Sequence, residues 1–209
     1  MMVVHDCEQG SEQWFAVRRG IPTASMFATV LAKGRDGRSP SLTRNTYLYK
    51  LAGEIETGEP MENYSNDHMA RGHEMEDGAR KLYALMTDAE PRRVGFISSG
   101  PKGCSPDSLI DEVGMLEIKT KLPHLAIECL LKDEFPPEHK AQCQGALWVA
   151  EREWIDLIVH WPKLPPFIKR AYRDEEYIKQ LEKAVDQFNA ELAQIVERVR
   201  RYGAALKAA

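Results

Sequence analysis

Three short apolar runs lie between Arg92 and Lys121: RRVGFISS (92–99), CSPDSLI (104–110) and GMLEIKTK (114–121), separated only by turn residues. Runs of this length, rich in branched and aromatic residues and bounded by Gly, Pro and Ser, read as a meander of strands. A strand sends successive side chains to opposite faces, so Glu117 and Lys119 point the same way. If the second and third runs pair as a hairpin, Asp107 and Glu117, ten residues apart, meet on one face. Two carboxylates and an ammonium set inside strand text are either solvated surface charges or a built site.

The rest of the chain supplies helices before and after these strands. QGSEQWFAVRR (9–19) is helical, with Trp14 and Val17 on one face and Ser11 as N-cap. GIPTAS (20–25) breaks it, and Ser25 opens a second helix to about Ala32. KGRDGRSPS (33–41) reads as a mobile basic loop. Residues 42–58 place Leu42, Tyr47, Leu51 and Ile55 at helical spacing and end on Gly58. Residues 66–87 form another helix, with Met75, Ala79, Leu82 and Leu85 or Met86 on one face; Gly72 and Gly78 inside it suggest close approach by backbone or ligand. Helices are expected again over 123–131 and 137–150. WIDLIVHW (154–161) is apolar enough for a central strand, and FIKRAYR (167–173) for an edge strand. From Asp174 an amphipathic helix carries Tyr177, Leu181, Val185, Phe188, Leu192, Ile195 and Val199. The sum is an α/β fold with a mixed sheet between helices.

Chemistry enters through Asp107, Glu117 and Lys119. Hard divalent cations take oxygen ligands, and Mg²⁺ is commonly held by one or two carboxylates plus waters and phosphate oxygens. A lysine beside them can orient or deprotonate an attacking water, which is the minimum equipment for metal-assisted phosphodiester hydrolysis. An isolated ExK recurs by chance as a surface ion pair worth little energetically. Here a Ser-Pro-Asp precedes it at hairpin distance, with apolar text around both halves.

Bulk properties bound the partners. The net charge of −4 is unlike that of most compact DNA-binding domains. A basic groove within an acidic exterior remains compatible with it, because local potential matters more than the total. No apolar run approaches the ~20 residues needed to span a bilayer, and the N-terminus has no signal-peptide pattern. The expected compartment is the cytoplasm, with no membrane partner. The four cysteines form no CxxC pair and no zinc-finger spacing, and are expected to be reduced. One domain over 1–209 is expected: an N-terminal helical part (1–60), a catalytic core (66–162) and a C-terminal helix (174–205).

Pro106-Asp107 followed by Glu117-Ile118-Lys119 resembles the PD-(D/E)xK nuclease motif. QGSEQWFAVRRGIPTAS, RGHEMEDGAR, CSPDSLI, LEIKTK and AQCQGALWV occur in the order seen in the phage lambda exonuclease family, the YqaJ-like alkaline exonucleases. The likeness covers roughly residues 9–150; the remainder matches only in general character.

The resemblance implies a role for each matching position. Asp107 would bridge two Mg²⁺ ions, with Mn²⁺ a possible substitute, and Glu117 and the Ile118 carbonyl would complete the first site. Lys119 would activate the water. Glu76 would approach from one helix and Gln142 from another. Arg18 and Ser25 would hold a 5′-terminal phosphate, Arg35 would touch DNA, and Met69 would wedge between terminal bases. An arginine offers a planar fork for phosphate, but the sequence does not decide whether Arg18 or Arg19 points inward. The resemblance also implies double-stranded DNA ends as substrate, 5′→3′ polarity, a ring-shaped homotrimer and a single-strand annealing protein as partner. A RecB-type repair exonuclease, an endonuclease of the same superfamily, and a catalytically silent DNA-end-binding scaffold are the alternatives.

Overall fold

The computed structural model describes residues 1–61 and 67–208, with side chains described except at 67–74 and 206–208. Met69 and Gly72 therefore lie outside the described side chains. Two sheets stand side by side. The first is antiparallel, in the order β1 (Met2–His5), β2 (Phe96–Ser99), β3 (Gly103–Cys104). The second has the order β4 (Ser108–Ile110), β5 (Gly114–Thr120), β6 (Trp154–His160), β7 (Phe167–Tyr172). Within it β5 and β6 run parallel, and the outer pairs are antiparallel. The parallel pair needs a crossover, which α5 (Pro123–Lys132), a 3-10 turn (Pro137–His139) and α6 (Lys140–Ala150) provide.

CSPDSLI is not one strand, contrary to the sequence reading. Its first residue pairs with β2 and its last three with β5, so the chain changes sheet at Ser105-Pro106-Asp107. Pro106 has no N–H to give a ladder, and its carbonyl is taken by the Gln9 side chain at 3.1 Å. Strand β1 was not expected; its burial is slight and it pairs with residues more than ninety positions away.

On one face of the second sheet Met115, Leu109 and Ile155 join the main core, packed beneath α6, α3 (Leu42–Thr57) and α7 (Glu175–Ala208). Leu181, Val185, Phe188 and Leu192 of α7 are buried there, and a fully buried side chain of this kind contributes roughly 1.5–3 kcal/mol. The other face, Leu116, Ile118 and Ile158, is covered by α4 (Asp67–Thr87) through Ala79 and Tyr83. Tyr83 donates to buried Asp156 at 2.6 Å, and Arg170 forks onto the same carboxylate with two bonds of 2.8 Å. These bonds fasten α4 to β6 and β7.

The helix faces differ in detail from the spacing-based expectation. Leu85 and Met86 are exposed, and the buried stripe of α4 runs through Ala79 and Tyr83 instead. Leu42 is exposed and Ile55 nearly so, while Tyr47, Leu48 and Leu51 carry the α3 contact. Val199 is half exposed. Nothing lies within 4 Å of a Cβ built on Gly78, so no described part of the chain packs closely on that glycine. The basic loop closes on itself: Lys33 bridges Pro40, and the Asp36 carboxylate accepts from the backbone of Arg38 and Ser39 at 2.9 Å each.

Candidate active site

Extending the β4–β5 register by one pair sets Asp107 opposite Glu117. The strand reading is right in its outcome, although Asp107 sits in the bend before β4. Its Oδ2 accepts from the Ile118 N–H at 2.5 Å, so the carboxylate lies across the edge of β5. Glu117 is buried, at 4% exposure. One of its oxygens, Oε1, accepts from Lys119 Nζ at 2.8 Å and from Gln142 Nε2 at 2.6 Å. Glu117, Lys119 and Gln142 therefore form one hydrogen-bonded group under the first turn of α6. Glu76 comes from α4 on the opposite face and lines a cleft of about 550 Å³ with Asp107, Gln9 and Arg80.

The charges here are unbalanced. Burial, then Glu117 and Glu76, push the Asp107 carboxyl well above its ordinary range, against the Ile118 N–H and Lys119. Burial alone would lower the Lys119 ammonium, but Glu117 and Asp107 more than reverse this and hold it above its usual value. Lys119 is thus an ammonium at neutral pH, and it donates a hydrogen bond. His139, just before α6, is pushed down to about 4 by burial and by the nearby Lys119 and Lys121, so it stays neutral and adds no cation.

A buried Glu117, a partly buried Asp107 and a shortage of positive charge suit a hard divalent cation whose remaining ligands are water and phosphate oxygens. Among the described residues no three acidic, histidine or cysteine side chains converge closely enough to hold an ion unaided. Asp107 and Glu117 are brought together, and Glu76 stands at the cleft wall beside Asp107.

The raised Asp107 carboxyl predicts a stability effect. The folded chain holds this proton more tightly than the unfolded chain, so stability falls as pH rises from the ordinary carboxylate range through the folded value. At about pH 8 and without metal, Asp107→Asn is expected to melt 2–4 °C above wild type, on the order of 1 kcal/mol. The gain should vanish near about pH 4. Calorimetric melting in chelator checks this, and an equal gain at both pH values would refute the electrostatic account.

A second cavity, about 200 Å³, is lined by Glu117 and Gln142 together with Arg18, Thr23, Ser25 and Trp14. Arg18 lines it and Arg19 does not, although the Arg19 Nε is buried without a hydrogen-bond partner among the described residues. The Arg18 guanidinium lies 4.0 Å over the Trp14 ring. Trp14 Nε1 in turn donates to Ser105 Oγ at 2.9 Å and to the Gly95 carbonyl at 3.2 Å. Ser25 does not open the helix as expected. It lies in a 3-10 turn, Ala24–Met26, and α2 (Phe27–Leu31) follows. Its hydroxyl meets Thr23 Oγ1 at 3.2 Å. This turn reaches Gln142 because Gly145 of α6 has no side chain: a Cβ there would stand 2.4 Å from the Phe27 ring.

Arg35 is exposed in the closed loop and lines neither cavity. Met69 and His73 lie outside the described side chains. Sequence reasoning missed Gln9, which holds the Val94 and Pro106 carbonyls at 3.0 and 3.1 Å. It also gave Trp14 only a helix face, whereas Trp14 is partly exposed in the cavity wall. Both lie in the quoted QGSEQW stretch, but only the folded contacts separate them from ordinary helix residues.

A model described as the YqaJ-like viral recombinase domain matches residues 13–153. The chain belongs to this family. An alkaline exonuclease, LHK-Exo from Laribacter hongkongensis, is 32% identical over 94% of this chain and 100% of its own, with a TM-score of 0.85. The structure of LHK-Exo in complex with dAMP matches with the same figures. A phage related exonuclease from Haemophilus somnus 129PT shares the fold at 13% identity and a TM-score of 0.66, over 86% of this chain and 96% of its own. The sequence matches no curated protein. Family membership and the LHK-Exo match support a nuclease, with the PD-(D/E)xK-like α/β fold expected from the sequence. No helix among the described residues is long and apolar enough to cross a membrane.

Proposed function

We propose that this protein is a Mg²⁺-dependent exonuclease that degrades one strand of duplex DNA from its 5′ end. The observation that carries the reading is the 200 Å³ cavity, which Arg18 and Ser25 line together with Glu117 and Gln142. A phosphate-sized anion held at Arg18 would set the next phosphodiester beside Asp107 and Glu117. That LHK-Exo is described in complex with dAMP, a nucleotide with one phosphate, is consistent with such an end-binding pocket. The 5′→3′ polarity, the duplex preference, a homotrimeric ring and an annealing partner rest on the family resemblance. So do the contacts of Arg35 and Met69 with DNA.

In this reading Asp107, Glu117 and the Ile118 carbonyl would hold the cations, with Glu76 near them in the cleft wall. Cations held there would supply Lewis acidity at the scissile phosphate and a more acidic attacking water. Gln142 fixes the Glu117 carboxylate by its hydrogen bond. Lys119, an ammonium anchored on Glu117, directs the water and stabilises negative charge developing at phosphorus. Arg18 fixes the end, so the reaction is between oriented groups. The Trp14 ring under its guanidinium keeps the fork turned toward the cavity.

Duplexes labelled at either end of one strand, digested in Mg²⁺, test the polarity. Labelled mononucleotide is expected first from the 5′ end; prior release of the 3′ label would sink the proposal.

A further inference from the structure

We infer that Arg80 is a positioning residue that sets the Asp107 carboxylate through its backbone. Arg80 follows Glu76 by one turn of α4, and its side chain is 12% exposed. Each guanidinium nitrogen has a separate acceptor. Nε donates to Ser108 Oγ at 2.9 Å, Nη2 to the Asp107 carbonyl at 3.3 Å, and Nη1 to Asp77 Oδ1 at 2.6 Å. Ser108, fully buried, donates its own hydroxyl to the Asp107 carbonyl at 2.6 Å. The Asp107 carboxylate is tied at the far side to Ile118 N–H. One residue is thus gripped at both ends, in the bend where the chain leaves one sheet for the other.

The residue type follows from this geometry. Only a planar fork offers three donors in fixed directions, and a lysine ammonium cannot reach Asp77, Ser108 and a carbonyl at once. The charge of Arg80 is matched locally by Asp77, which also pairs with Arg93. What Arg80 adds at Asp107 is therefore placement. Groups that orient a metal ligand without touching the metal typically change affinity or activity 10–100-fold. The sign separates placement from charge: removing a nearby cation would by Coulomb attraction alone tighten the binding of a divalent ion, whereas losing the placement weakens it.

The inference rests on Asp107 being a metal ligand, and the experiment keeps the two apart. Mn²⁺ binding to the full chain without DNA is measured by titration calorimetry, with the metal-induced rise in melting temperature as a second readout. Arg80→Gln and Arg80→Lys are expected to weaken Mn²⁺ at least about tenfold, and Asp107→Asn to abolish it. Binding of 5′-phosphorylated ends in chelator should be unchanged in both Arg80 variants. If Arg80→Gln fails to fold, Ser108→Ala removes one of the two donors on the Asp107 carbonyl, and a several-fold weakening is expected. Wild-type or tighter Mn²⁺ binding in the Arg80 variants, with Asp107→Asn inactive in binding, overturns the role of Arg80 alone. Wild-type binding in Asp107→Asn overturns the site assignment and the inference with it.

Discussion

Asp107→Ala is expected to lower metal-dependent nucleotide release by about 10⁴-fold, on the scale seen when a central catalytic group is removed. Binding of 5′-phosphorylated duplex ends should survive, because Arg18 and Ser25 line a cavity that Asp107 does not. The loss is large because Asp107 cannot be replaced by a neighbour: Glu117 is already committed to Lys119 and Gln142. Glu76 lies on a different helix beneath the other sheet face. Single-turnover digestion beside an equilibrium end-binding assay measures both quantities. Residual release above about one hundredth of wild type would move the site elsewhere.

Arg18→Ala should cost about 10²-fold on 5′-phosphorylated duplexes and far less on 5′-hydroxyl ends, since charge-assisted hydrogen bonds are worth roughly 1.5–3 kcal/mol each. The loss falls on substrate affinity and on the choice of end, with the metal dependence unchanged. Arg18 rests against Trp14, so the substitution also removes that stacking contact. Competition between the two kinds of end in one tube gives the ratio directly. An equal loss on both would mean that Arg18 supports the wall and does not read the phosphate.

The juxtaposition of Asp107, Glu117 and Lys119 was legible in the sequence because strand alternation is strictly local: two residues along β5 restores the same face, and a short turn fixes the partner. The same locality explains the misses. Gln9 reaches the Pro106 carbonyl across 97 positions and Arg80 reaches Ser108 across 28, and no periodic pattern encodes such bonds. β1 is a short, exposed strand whose partner is distant in sequence. Leu42, Leu85 and Met86 fitted a helical stripe and yet face solvent; apolar atoms cover much of any protein surface, so spacing alone misassigns some. Arg18 and Arg19 differ by a single step at the end of a short helix, too small a difference for pattern to resolve; in the fold Arg18 is the one that lines the cavity.

The change of sheet at Ser105-Pro106-Asp107 has a consequence for product length. Trp14, which supports Arg18, is tied to Gly95 and Ser105 on the first-sheet side. Asp107 is tied to Ile118 on the second. Under the proposed function, the span between the end-binding arginine and the cutting centre is the ruler that decides how many nucleotides leave per cut. Pro106, with its carbonyl pinned by Gln9, is the rigid mark on that ruler. The gauge therefore belongs to the seam between two sheets, and loosening that seam would blur the size of the fragment while leaving each half of the machinery intact.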